Sequence, residues 1–285
     1  MAGTTSTTDE TRFGWDRIEN AAVYAVMYGL ALLFFLPLYR TFQLSITPTE
    51  EMGTFKLFPA EPTLTYWQGV LANNPVIYRW ALNTLIIAGV TTLLVVVIDS
   101  MIAFSLTRLE WRGRKAILGI IIASFMVPPV VNIIPLFTLV NRLGMINSYW
   151  AVILPFVAGP LGVFLLVQFF RDIPEELEEA ARMDGFSTPR IYARIILPLS
   201  APILTALAIF IFVWSWNQFL WPLIVLQEEA KYTLPIGATT LESVYVNQPN
   251  QLMAQMLVIS MPLFVLFLLF QEKLISSIQM QAATG

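Results

Sequence analysis

The chain has 285 residues, of which 57% are hydrophobic and only 12% charged, about half the charge of a soluble domain, so its composition is that of an integral membrane protein. A net charge of −3 is too small to imply nucleic acid or another strongly charged partner. The absence of cysteine and histidine excludes disulfides, thiolate or imidazole metal sites, Ser-His-Asp and Cys-His nucleophiles and histidine proton relays.

No G-x-x-x-x-G-K-[ST] loop occurs, so any ATP that drives this protein must be held by another chain. No metal and no cofactor of its own is expected. The polar N-terminus, residues 1–20, reads as a cytoplasmic tail and not as a signal peptide.

Six apolar stretches follow, near 21–43, 81–106, 116–140, 149–170, 199–226 and 252–274. Each is long enough to cross a hydrocarbon core of about 30 Å as a helix, the conformation that satisfies the backbone of a single span in lipid. The fold class expected is therefore all-α integral membrane, with a six-span domain over 21–274 and a C-terminal tail over 275–285. With both termini inside, eleven Lys/Arg face the cytoplasm and five face out, which sets that orientation by the positive-inside rule.

The outer loop 44–80 carries Pro, Trp and Tyr residues that suggest an ordered interfacial cap, although anchoring in the aromatic belt accounts for most of them. Asp99 interrupts the second span; about 25 Å from the span's outer end, it is expected near the inner surface, hydrated or paired with Arg108 or a neighbour. The third span contains Pro128, Pro129 and Pro135 around Asn132, a pattern for a helix broken toward a solute pathway or kinked for packing. In the fifth span Trp214, Trp216, Asn217, Gln218 and Trp221 cluster. Trp216, Asn217 and Gln218, with Asn132, are the pathway candidates, because aromatic faces beside amides suit sugar rings.

Between the fourth and fifth spans lies a charged cytoplasmic stretch, 171–198. Asp172 with Glu175 reads as a capping box and Pro174 as a first-turn residue. Glu175, Glu176, Glu178 and Glu179 precede Arg182 in the order that suits the helix dipole. Gly185 reads as the left-handed stop. A second helix, capped by Ser187 or Thr188 with Pro189 at its first position, runs to Leu197-Pro198. Leu177, Ala180 and Ala181 recur at helical spacing, giving a narrow face of methyl groups ringed by acids. Interfacial helices favour bulky apolar and basic residues, so a protein-docking helix is the better reading.

The spacing Glu179-Ala180-Ala181, three residues, Gly185, nine residues, Ile195-x-Leu197-Pro198 resembles the "EAA" loop of ABC importer permeases. "FRDIPEELEEAARMDG", "WNQFLWPLIVL", "MVPPVVNIIPLF" and "LGMINSYWAVILP" are similar to the carbohydrate-uptake branch, in particular its second, maltose-transporter-like six-span permease. The resemblance implies the type I importer architecture, with a loop that docks on a cytoplasmic ATPase through Glu179, Ala180, Ala181, Arg182, Asp184 and Gly185. It implies two ATPase subunits, a homologous second permease, an extracytoplasmic solute-binding protein and a sugar or polyol as cargo, in the cytoplasmic membrane of a prokaryote. Two rivals stand beside it. A self-contained ion-coupled secondary transporter is expected to show intramembrane carboxylates or His, often with repeated halves, and Asp99 is the one such group seen; a membrane-embedded enzyme would have to work without His or Cys.

Overall fold

The computed structural model describes residues 7–51, 56–244 and 248–283, and every regular element among them is helical. Two compact units emerge, one of residues 1–73 with 245–257, the other of 74–244 with 258–285.

In the first unit, α1 (Thr7–Ser45) is a continuous helix that begins within the expected tail and contains a span over Ala22–Ser45. A short turn at Thr49–Glu51 and helix α2 (Thr65–Asn73) follow. The outer loop is ordered over its described part because its polar groups close on one another. Trp67 Nε1 donates to Ser45 Oγ at 3.1 Å and Thr63 N to Ile46 O at 2.9 Å. Glu51 Oε2 accepts from Lys56 Nζ and from Ala60 N at 3.1 and 3.0 Å.

The second unit is organised around α3 (Val76–Arg108), whose 33 residues extend about 50 Å, more than a bilayer core requires. It is followed by α4 (Arg114–Ser124), a tight turn at Pro129–Asn132 and α5 (Ile133–Arg142). Pro128 and Pro129 carry no N–H and Pro128 is extended, so the ladder stops there and the two halves meet at 98°. Next come α6 (Tyr149–Ile153), a turn at Leu154–Phe156 and α7 (Pro160–Asp172), bent by 42° at the Gly159-Pro160 break.

The expected cytoplasmic stretch forms α8 (Glu176–Met183), α9 (Thr188–Ile191), a π turn over Tyr192–Ile196 and α10 (Leu197–Leu199). Pro198 cannot donate to the carbonyl four residues back, and the wide turn lies just ahead of it. Helix α11 (Ala201–Trp216) leaves at 77°. Then come α12 (Leu220–Val225), α13 (Leu234–Val244) and α14 (Pro249–Ala283), the last shared between the two units.

By length and composition two helices among the described residues suffice to cross a membrane, and the three bent pairs raise the number to five. The sixth expected stretch, 252–274, lies in α14, whose side chains are described as far as Leu268.

Helix α3 packs on both α7 and α11. One core gathers Ala103, Phe104 and Leu106 with Val163, Leu166, Val167 and Phe170 and with Ile191, Ile196 and Leu207. A second core joins Ile87 to Val152, Trp221, Val225 and Ile236. Polar side chains pin the loop 226–234 above it. Trp80 Nε1 donates to Glu229 O, Asn83 Nδ2 to Ala230 O and Tyr232 O, and Leu234 N to Thr84 Oγ1, all within 2.9 Å. Asn147 Oδ1 accepts from the backbone N–H groups of Gln227 and Glu228.

Asp99 departs from its expected setting. It is fully buried, and Arg108 bonds elsewhere. Its Oδ1 accepts from Gly159 N at 3.2 Å, at the start of α7. Gly159 has no side chain to cap with and Pro160 no N–H to offer, so α3 supplies the acceptor that the α7 terminus lacks. Nine residues of helix, roughly 14 Å, separate Asp99 from Arg108, so the two do not pair.

Candidate functional site

The charged stretch is built differently from its sequence reading at the start and as expected at the end. Asp172 is the last residue of α7 and caps nothing, so the capping box is absent. A residue before proline avoids the helical region, and Ile173 is extended (φ −75, ψ 124). Helix α8 can therefore begin only after Pro174. Its N-cap is Glu175, whose carbonyl accepts from the N–H groups of Glu178 and Glu179. Ser187 is the N-cap of α9 without a side-chain bond, Thr188 is the first helical residue and Pro189 the second.

Gly185 closes α8 as expected. It sits at φ +80, Phe186 N donates to Ala181 O at 2.9 Å, and Gly185 N donates to Arg182 O at 3.0 Å. These two bonds are the Schellman pair, which needs a left-handed residue. Phe186 then packs on the core that includes Ala181.

The methyl face does not stay together. Ala181 is 6% exposed and lies in the core, so it supports the helix from beneath and is not an outward docking residue. Glu179, Ala180, Arg182, Asp184 and Gly185 are exposed, alongside Leu177 at 45% and Met183 at 89%. The outward surface is thus an acidic helix face with two uncovered apolar side chains.

The placement of Glu178 and Arg108 was not foreseen from the sequence. Glu178 points inward, and its Oε1 lies 2.8 Å from Arg108 Nε, the two side chains being 6% and 4% exposed. Arg108 Nη2 also donates to Phe170 O and Ile173 O at 2.6 Å each, and Nη1 reaches Glu175 Oε1 at 3.4 Å. The available signal was spacing, since Glu178 and Ala181 are three apart on one helix face and only one face can be covered.

The pathway candidates divide as well. Asn217 and Gln218 line a cleft of about 390 Å³ with Phe210, Val213, Trp214 and Phe219. Trp216 does not line it; at 4% exposure it is buried, its ring 5.7 Å from that of Phe212. Phe210, Val213, Trp214 and Asn217 follow helical spacing, which picks out Trp214 over Trp216. The helix stops where Asn217 Nδ2 donates to Val213 O at 2.7 Å, a side chain competing with the ladder. Asn132 is exposed at the Pro128-Pro129 bend and does not line the cleft.

Comparison with known proteins adds a lineage. Residues 96–279 match the family model described as binding-protein-dependent transport system inner membrane component. The chain is 33% identical over 260 residues to the arabinooligosaccharides transport system permease protein of Bacillus subtilis, covering 90% of this chain and 92% of the relative. It is 31% identical to the trehalose transport system permease protein of Mycobacterium tuberculosis, covering 94% and 99%. Among solved structures, a chain from a bacterial ABC transporter involved in import of the acidic polysaccharide alginate superposes with a TM-score of 0.76 at 21% identity, over 95% of this chain and 99% of that one. At that identity the likeness speaks for the fold.

Proposed function

The chain belongs to the binding-protein-dependent inner membrane components, and from that membership we propose that it carries a sugar or related polyol inward by coupling α8 to an ATPase. As a permease subunit of an ABC importer it performs no chemistry; hydrolysis takes place in separate subunits, and an ATPase and a solute-binding protein are its partners. Two ATPase copies and a homologous second permease complete the assembly we propose, with both termini and the stretch 171–198 on the cytoplasmic side. The distribution of Lys and Arg supports that orientation. The transport systems named for the relatives, for arabinooligosaccharides and for trehalose, support a sugar cargo.

The observation that carries the coupling role is the outward face of α8. Glu179, Ala180 and Met183 stand clear of the core on a short helix that Gly185 stops. An apolar side chain this exposed next to a carboxylate suits a partner cleft that offers a basic group. In this reading ATP binding closes the ATPase pair, the cleft moves α8, and the spans rock between inward- and outward-open states. Glu179→Lys tests it. The variant should insert and fold as the parent does, yet lose co-purification with the ATPase and lose uptake. Unchanged co-purification and uptake would remove the docking role.

A further inference from the structure

A push on α8 moves the spans only if α8 is fixed to one of them. Its backbone link to α7 is Ile173-Pro174-Glu175, which is not helical. The side-chain fastening runs instead to α3. The Arg108 guanidinium, at the end of α3, binds Phe170 O and Ile173 O ahead of α8 and the Glu178 carboxylate within it. Beyond α8, Tyr192 OH and Ser100 Oγ are 2.7 Å apart, and the Tyr192 and Phe104 ring centroids 5.1 Å apart. The stretch is thus tied to α3 on both sides of its turn.

We propose that Arg108 is the positioning residue that makes α8 and the cytoplasmic end of α3 one rigid body, with Glu178 as its counter-charge. This rests on the coupling reading of α8. Three acceptors, Phe170 O, Ile173 O and Glu175 Oε1, converge on the two terminal nitrogens of one planar fork while the Glu178 carboxylate lies against its Nε, an arrangement that lysine cannot reproduce. Because the pair is buried, removing either partner leaves the other with only a longer contact to an exposed side chain, Arg108 to Glu175 at 3.4 Å or Glu178 to Arg182 at 4.0 Å. Displacement of α8 therefore reaches α3, and through α3 the helices packed on it, α7 and α11.

The test uses the assembled transporter with its ATPase and partner permease. The chain has no cysteine, so Leu93→Cys on α3 and Glu176→Cys on α8 accept spin labels specifically, Leu93 being 64% exposed. Electron–electron distances are read without nucleotide and after trapping with ATP and vanadate. The expected result is a single narrow distance that trapping does not change. In Arg108→Lys and Glu178→Gln the ATPase should still co-purify and hydrolyse ATP, but the narrow distance should be lost and should shift on trapping. Glu178→Gln keeps the side-chain volume, so it reports even if the lysine variant fails to assemble. A distance that shifts on trapping in the otherwise unsubstituted chain overturns the rigid joint, as do distributions in Arg108→Lys and Glu178→Gln as narrow as that of the parent. An ATPase that does not co-purify even with the unsubstituted chain overturns the coupling reading itself.

Discussion

The Asp99 carboxylate occupies the space that a methyl group on Gly162 would need: an ideal Cβ there would lie 2.0 Å from Asp99 Oδ2 and 3.3 Å from Leu207 Cδ2. Helices α3 and α7 are thus in contact through a glycine at the level where the carboxylate reaches Gly159 N. Gly162→Ala should destabilise the protein by about 1–3 kcal/mol through overpacking, read as a lower melting temperature in detergent. The cost should shrink in an Asp99→Ala background, where the obstructing carboxylate is gone. Equal costs in both backgrounds would separate the two residues. Asp99→Asn keeps the acceptor and the volume, so uptake should survive. Loss of uptake at normal stability would show that transport needs the ionisable carboxyl and not merely its acceptor oxygen.

Gly185 tests a different kind of demand. Nothing lies within 4 Å of a Cβ placed there, so space is not the constraint; the backbone at φ +80 is. Gly185→Val should cost about 1–2 kcal/mol of backbone strain and displace Phe186 from the core. ATPase co-purification and uptake should fall together. Gly185→Asn, which tolerates left-handed geometry, should keep most of both. Full uptake in the valine variant would show that the turn is dispensable.

These two glycines mark how far the sequence could be read. Gly185 was legible because a left-handed stop is a local property, written in the residues beside it. The helical, apolar character of the chain was legible because a run of apolar residues needs no partner to be recognised, although of the six expected spans two stand as continuous helices among the described residues and three as bent pairs; the Pro128-Pro129 break was legible because proline acts on its own backbone. Asp172 was misread because the capping pattern fits the local sequence while Pro174 forces Ile173 out of the helical region, and the second effect wins. The settings of Asp99 and Arg108 were not legible. Their partners lie some 60 residues away in sequence, at Gly159, Phe170 and Ile173, and only packing of α3 against α7 brings them close. The outward face of α8 was half legible: spacing shows that Ala180 and Ala181 differ, but not which one the core covers.

The loop above the second core offers a pH test. The Glu228 carboxyl is held below its ordinary value, first by its hydrogen bond to Lys231 and next by one to Asn147. A lowered folded pKa contributes stability above the unfolded pKa and loses it as pH falls through the folded one. The protection factors of backbone amides 227–231, taken relative to intrinsic exchange at each pH, should therefore fall as the pH drops below about 4.5, while the buried helices stay protected. Glu228→Gln should flatten that dependence. An exchange profile with the same acid dependence in the Gln variant would assign it to another group.

The cleft at the end of α11 separates recognition from packing within a single sequence cluster. Trp214 is 37% exposed, lines the cleft with Asn217 and Gln218, and is braced by Phe156 at 5.2 Å, whereas Trp216 is 4% exposed. If the cleft meets the sugar, the indole face of Trp214 packs on the ring carbons while the amide of Gln218 bonds the hydroxyls. Trp214→Ala should then cut uptake roughly three- to tenfold, the worth of one aromatic contact, with the melting temperature and ATPase co-purification preserved. Trp214→Phe should retain part of it. Trp216→Ala should behave in the opposite way, losing about 3–5 kcal/mol of stability as a large side chain leaves the core. Uptake unaffected by Trp214→Ala and Gln218→Ala, measured with the sugar that most stabilises the cognate binding protein, would take the cleft off the solute's path.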